Sequence, residues 1–221
     1  MELTDGHVTL RAPEDGDVDW VVQSCRDPET QRWLPMLPKP YGPADAESWI
    51  RHCQDSWAVG SATPFIILDS TTGDRLGTIE LRTGDAPSDV GYWLAPEGRG
   101  RGAMTRALRL IVRYAFQVRV LHRVELFTLT DNVRSQAVAE RCGFQRVDKV
   151  PERIASRDET RHDAFRYVLD ATRIVEDGRT HLGAGTSPLH GRPTGHPDHE
   201  HRAVEPALGA RSDGRTRRIL R

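Results

Sequence analysis

Lysine is almost missing from this chain of 221 residues: Lys39 and Lys149 are the only two among 31 basic residues, and the rest are arginine. A Walker A loop requires a lysine directly after a glycine-rich turn, and neither lysine stands in that setting, so this class of phosphate site is excluded. Cysteine is scarce as well. Cys25, Cys53 and Cys142 are odd in number and widely spaced, which argues against a disulfide framework and fits a reducing compartment, the cytoplasm by default. No apolar run approaches the ~20 residues of a membrane span, and no charged-then-apolar leader opens the chain, so neither insertion nor export is expected. Excess charge of one sign is also lacking. The formal net charge is −1, so no global field points to nucleic acid or a membrane surface.

Glycine and arginine, by contrast, are concentrated in one place. Ser88 to Thr105 reads as a strand over Asp89 to Leu94, a turn containing Gly98, Gly100 and Gly102, and the start of a helix over Thr105 to about Phe116. Leu108, Ile111, Val112 and Ala115 fall at helical spacing on one face, with Arg106, Arg109 and Arg113 on the other. The three glycines permit positive φ and leave the backbone open to a ligand. N–H groups at a helix start, aided by its dipole, form an anion site. Arg99 and Arg101 add guanidinium forks suited to phosphate. Gly98, Gly100 and Ala103 also meet a loose dinucleotide pattern. Some ninety residues precede the turn, however, and the only acid at the right distance, Glu125, lies inside a predicted strand.

Arg99-Gly-Arg-Gly-Ala-Met104 resembles the acyl-coenzyme A loop of the GNAT superfamily of N-acetyltransferases, [RQ]-x-x-G-x-[GA], with Met104 at the place of the usual Gly or Ala. That departure resembles the branch containing the ribosomal-protein-alanine N-acetyltransferases. Asn132-Val-Arg-Ser135 followed by Glu140-Arg-Cys-Gly-Phe144 is similar to a second block of that branch, as are Trp33-Leu-Pro with Pro40-Tyr41 and Gly91-Tyr-Trp-Leu94. The resemblance covers Val8 to about Leu169. It implies a GNAT-like α/β fold: a mixed, mostly antiparallel sheet of six to seven strands flanked by about four helices.

The residues themselves give the order β-α-α-β-β-β-α-β-α-β-β. A strand at Val8 to Arg11 leads to a helix over Val18 to Arg26 that ends at Asp27-Pro28. Gly42 and Pro43 open a second helix as N-cap and first residue. Ser70 to Asp74 is a hairpin turn, and Gly143 ends the helix that Asn132 begins. Cys25 and Cys53 fall on buried stripes and are expected to be core. From about Glu176 the periodicity stops, so residues 1–173 form the expected transferase domain and residues 174–221 a disordered tail. His196, His199 and His201 in that tail read as solvated residues, and no metal is expected.

By the resemblance, the cosubstrate is acetyl-CoA and the acceptor a small-molecule amine or a protein N-terminus, in a monomer or homodimer. The diphosphate would rest on N–H groups from Arg99, Gly100, Arg101, Gly102, Ala103, Met104 and Thr105. The pantetheine arm would run between the splayed strands Asp89 to Leu94 and Arg123 to Leu129. The Leu94 N–H would hold the thioester oxygen, Asn132 an amide of the arm, and Ser135 would protonate the leaving sulfur. Asn132 equally suits a plain helix cap. Glu80 and Asp89 are the candidate bases, each acting through water. Trp33, Leu34 and Tyr41 would form a loop over the acceptor mouth. A catalytically silent acyl-coenzyme A sensor remains open beside the enzyme, and so does a nucleotide dehydrogenase.

Overall fold

The computed structural model describes residues 1–84 and 86–172. The expected tail from residue 174, with its three histidines, lies outside the described residues. Eight strands run in the order β1-β2-β3-β4-β5-β6-β8-β7. They are β1 (Glu2–Thr4), β2 (Val8–Arg11), β3 (Ala62–Asp69), β4 (Arg75–Arg82), β5 (Asp89–Leu94), β6 (Arg123–Leu129), β7 (Gln145–Ala155) and β8 (Arg161–Asp170). Every neighbouring pair is antiparallel except β5 with β6, which is parallel. The helices are α1 (Val18–Arg26), α2 (Pro28–Trp33), α3 (Pro43–Val59), α4 (Ala103–Gln117) and α5 (Val133–Arg141). The mixed, mostly antiparallel α/β architecture is the expected one, with one more strand and one more helix. β1 is a short edge strand. α2 arises because Asp27, which ends α1, also caps a new helix by accepting the Thr30 N–H, with Pro28 at its first position.

Helix α4 buries its apolar stripe against one face of the sheet: Leu108, Ile111, Val112 and Ala115 meet Leu10, Phe65, Ile79, Leu81, Val90 and Leu126 in a single core. A second cluster, Val21, Val22, Cys25, Tyr41 and Ala46, sits under α1 and α3 and reaches the sheet through Trp93, which stacks on Trp20 with centroids 5.6 Å apart. Cys25 and Cys53 are buried, as expected from their stripes. No helix among the described residues is long and apolar enough to cross a membrane.

One charge anchors the N-terminal half. The Asp17 side chain is fully buried and accepts from Arg11 Nη1 and Nη2 (2.8 and 2.7 Å), Arg75 Nε (2.6 Å) and the Glu14 amide (2.9 Å). Burial works to raise its pKa, but the Arg11 and Arg75 guanidinium groups and the Glu14 amide outweigh it and hold the carboxyl below 3.8. A depressed pKa contributes stability that is present above the ordinary value and lost as pH falls through the folded one. Asp17→Ala is therefore expected to cost about 3 kcal/mol in urea denaturation at pH 7, because it strands two arginines. The difference from the parent should shrink below about pH 4.

Candidate active site

The parallel pair supplies the opening. β5 and β6 share only Asp89↔Glu125 and Val90↔Leu126; beyond these the strands part. Alternation along β5 then decides which groups face the gap. The Ala95 N–H bonds Leu76 O at 2.9 Å on the β4 side, so the Leu94 N–H, one residue earlier, points the other way into the gap. On the facing strand, Thr128 is 2% exposed and its Oγ1 has no hydrogen-bond partner among the described residues. A buried hydroxyl left unpaired is uncommon and marks a place for a ligand or water. The gap widens into a cleft of about 1300 Å³ lined by both strands, the glycine turn, α5 and the Trp33-Leu34 segment.

At the head of α4 the glycines divide their work. Gly98 lacks positive φ; a Cβ there would stand 2.3 Å from Leu76 O, so it is glycine because the turn lies against β4. Gly100 and Gly102 have φ of +72° and +75°, with open space where a Cβ would be. Helix α4 starts at Ala103, two residues earlier than expected. The N–H groups of Gly100 through Thr105 have no acceptor among the described residues, the first bond closing only at Arg106 N to Gly102 O. Ala103 and Met104 turn their side chains into the core, which leaves their amides to the cleft. Thr105 lines it directly.

The two arginines of the turn are engaged elsewhere, contrary to the expected phosphate fork. Arg99 pairs with Asp27 and Glu29 and donates to Thr30 Oγ1 (2.9 Å), and its own N–H bonds Pro96 O. Arg101 pairs with Asp69 at 2.9 Å and does not line the cleft. Local charge was readable, but the distant carboxylates that capture it were not. The cation left beside the loop is Arg141, whose Nε lies 3.5 Å from Thr105 Oγ1 and which has no carboxylate partner among the described residues. Its place in Glu140-Arg-Cys-Gly-Phe144 was the available signal.

Helix α5 brings Asn132 and Ser135 to the same cleft. Asn132 Oδ1 caps the helix by accepting the Ser135 N–H at 3.1 Å, which leaves its amide NH₂ free to donate. Ser135 Oγ lies 3.0 Å from Tyr92 Oη, and the phenol also reaches Ser135 O at 3.2 Å. Burial pushes the Tyr92 phenol up, so it stays protonated. Tyr92 was read only as part of a motif, because its partner is more than forty residues away.

Glu80 and Asp89 are neighbours through Arg82. The guanidinium donates Nη1 to Glu80 Oε1 (2.7 Å) and takes both Asp89 oxygens (3.0 and 2.6 Å). It lies over Gly91, where a Cβ would meet Nη2 at 3.0 Å. Both Asp89 oxygens accept from the guanidinium, whereas Glu80 Oε2 accepts no hydrogen bond among the described residues. Trp33 and Leu34 line the cleft. Tyr41 does not: it is 4% exposed in the α1–α3 cluster, since the side chain turns inward under the proline-rich segment. Among the described residues no group of three or more His, Cys, Asp or Glu side chains is placed to hold a metal ion.

A family profile for the acetyltransferase (GNAT) domain matches residues 7–145. The chain belongs to the GNAT acetyltransferases. It is 26% identical over 145 residues, 62% of this chain and 78% of the relative, to a putative ribosomal N-acetyltransferase, YdaF, of Bacillus subtilis. Among solved structures it is similar to Mycobacterium smegmatis RimJ in complex with CoA-disulfide, with a TM-score of 0.68, 22% identity, and 81% of this chain against 94% of that one. It is likewise similar to a spermidine N-acetyltransferase of Vibrio cholerae in complex with CoA and spermine: TM-score 0.65, 19% identity, 77% and 99% coverage. These two likenesses concern the fold. The dehydrogenase alternative falls with the family assignment.

Thr128→Val removes the unpaired hydroxyl while keeping the shape. The free protein should melt at an equal or higher temperature, since an unsatisfied buried group is gone. CoA affinity should fall by about fivefold in calorimetry, as one bond to the ligand is lost. Unchanged affinity would place the ligand away from this strand.

Proposed function

We propose that this GNAT acetyltransferase moves an acetyl group from acetyl-CoA to a primary amine by direct attack, within residues 1–173 and in the cytoplasm. The observation carrying the reading is the run of unbonded amides from Gly100 to Thr105 at the mouth of a strand gap that presents the Leu94 N–H and the orphaned Thr128 Oγ1. The residues fit the cofactor. The amides and the α4 dipole suit a diphosphate, with Arg141, which has no carboxylate partner among the described residues, beside them in place of Arg99 and Arg101. Thr128 Oγ1 and the Asn132 amide suit the polar groups of the arm. When bound, acetyl-CoA supplies an activated acetyl group and a thiolate leaving group.

The chain's own groups then divide three tasks. The Leu94 N–H, aimed into the gap, polarises the acyl oxygen. Ser135 gives a proton towards the departing sulfur. An isolated hydroxyl is a weak acid, but Ser135 Oγ lies 3.0 Å from Tyr92 Oη, and with the phenol O–H turned to Oγ rather than to Ser135 O the serine becomes a stronger donor of its own proton. Tyr92 itself is a positioning residue, because its half-buried phenol resists ionisation. Glu80, through water and its unbonded Oε2, takes the proton from the amine, and Asp89 holds Arg82 in place. Transfer through water suits an amine that is already partly neutral, such as a terminal α-amine with pKa about 7.7–8 rather than a lysine at about 10.4. The name of the relative YdaF points towards ribosomal proteins as acceptors, and that of the spermidine enzyme towards small amines. Trp33 and Leu34 border the acceptor side of the cleft.

Acetyl-CoA should raise the melting temperature, and thiol release should follow when an amine panel is added. Ser135→Ala is expected to lower kcat by roughly 10- to 100-fold with little change in acetyl-CoA affinity. Tyr92→Phe should lower it less, and add nothing in the Ser135→Ala background. Cofactor binding without thiol release for every amine would make the chain a silent acyl-CoA sensor. A chain ending at residue 174 should keep its affinity for CoA.

A further inference from the structure

Charge bookkeeping along the cleft leaves an asymmetry that the transfer chemistry does not use. Among the described residues three carboxylates line it, and each is already held by arginine: Glu29 by Arg99 and Arg134, Glu80 and Asp89 by Arg82. Five arginines line it. Three of them are the partners just named, which leaves Arg141 and Arg153 without a carboxylate among the described residues. Arg141 stands beside Thr105 at the anion loop. Arg153 stands elsewhere, over the ring of Phe127 on the opened part of β6, with Cζ 4.1 Å from the centroid.

Local backbone explains how Arg153 gets there. The β7–β8 register breaks between Val150 and Ile154, and within that bulge Glu152 has φ of +51°, a region a non-glycine residue rarely adopts. Both sides of the bulge are pinned. The Glu152 N–H donates to Asp163 Oδ1 (3.0 Å), Arg161 Nε donates to Glu152 O (2.8 Å), and Lys149 pairs with Asp163 (2.7 Å). Bulges of this kind redirect a side chain beside a site. Here the result is a guanidinium laid on an aromatic face, its N–H edges free to receive an anion.

We infer that Arg153 is a specificity-determining residue that reads a negative charge on the acceptor, so that preferred amines carry a carboxylate near the amino group. This rests on the transferase reading above. A polycation finds no match among the described residues of the cleft, because each carboxylate lining it is already paired and the uncompensated charge is positive. The carboxylate comes either from an acidic residue next to a peptide N-terminus or from a free amino acid.

The test uses the full chain and a matched acceptor panel: Ala-Glu, Ala-Gln and Ala-Lys peptides with amidated C-termini, free alanine against alaninamide, and spermidine. For the parent we expect kcat/KM about tenfold higher for Ala-Glu than for Ala-Gln, with Ala-Lys and spermidine lowest. Arg153→Gln should erase that ratio through KM, with the rate on Ala-Gln and the KM for acetyl-CoA unchanged, and Arg153→Glu should reverse the order of Ala-Glu and Ala-Lys. A preference for alanine over alaninamide identifies the free amino acid as the source, and one confined to Ala-Glu identifies the peptide. A parent that takes spermidine or Ala-Lys as well as Ala-Glu, or a ratio untouched by Arg153→Gln, overturns the inference. Calorimetric binding of the same acceptors to the CoA-saturated protein separates this from the transferase reading. The same charge order without any turnover supports Arg153 while sinking catalysis, and binding blind to charge sinks Arg153.

Discussion

Strands β5 and β6 stay paired only through Asp89 and Val90 against Glu125 and Leu126, and their parting sets what the rest of the molecule can do. The middle of a sheet normally has no unpaired amides, because each costs free energy when hidden from water. This sheet tolerates the break because α4 packs across its back, joining residues of β2 through β6 into one core on either side of the parting. The groups the break exposes belong to rigid strands rather than a mobile loop, so the Leu94 N–H and Thr128 Oγ1 are held in place before any ligand arrives. Pre-set donors of that sort need no reorganisation when charge develops on an acyl oxygen.

Arginine does most of the remaining work, and chiefly as a fastener. Arg11 and Arg75 close on Asp17, Arg82 gathers Glu80 and Asp89, and Arg99 ties the glycine turn to α2. A planar fork can satisfy two oxygens at once, which a lysine ammonium does with less geometric control. Of the five arginines among the described residues that line the cleft, three are so employed, and the two left over, Arg141 and Arg153, stand out because no carboxylate holds them.

Where a residue's reason for being was local, the sequence disclosed it. Gly100 and Gly102 are needed for left-handed backbone at a helix start, Asn132 caps α5, Gly143 closes it, and the α4 stripe faces the core as its spacing demands. Where the reason lay far along the chain, the same letters misled. Gly98 looks like its two neighbours but is there to clear Leu76 O. Arg99 and Arg101 look like phosphate ligands until Asp27 and Asp69 arrive from other elements. Tyr41, beside prolines, reads as a mouth residue but faces inward. Tyr92 and Arg153 escaped notice because their roles depend on helix α5 crossing a strand and on a bulge in β7, neither of which leaves a periodic trace.

Helix α2 joins two neighbourhoods with different tolerances. Its first turn, Asp27 to Thr30, is gripped by Arg99, while its far end runs into Trp33 and Leu34 at the cleft wall. Alterations upstream of Gln31 would loosen the glycine turn, whereas exchanges from Trp33 onward reshape the wall without disturbing that grip. A single short helix thus fastens the glycine turn at one end and shapes the cleft wall at the other, so the wall is open to remodelling while the turn stays tied down.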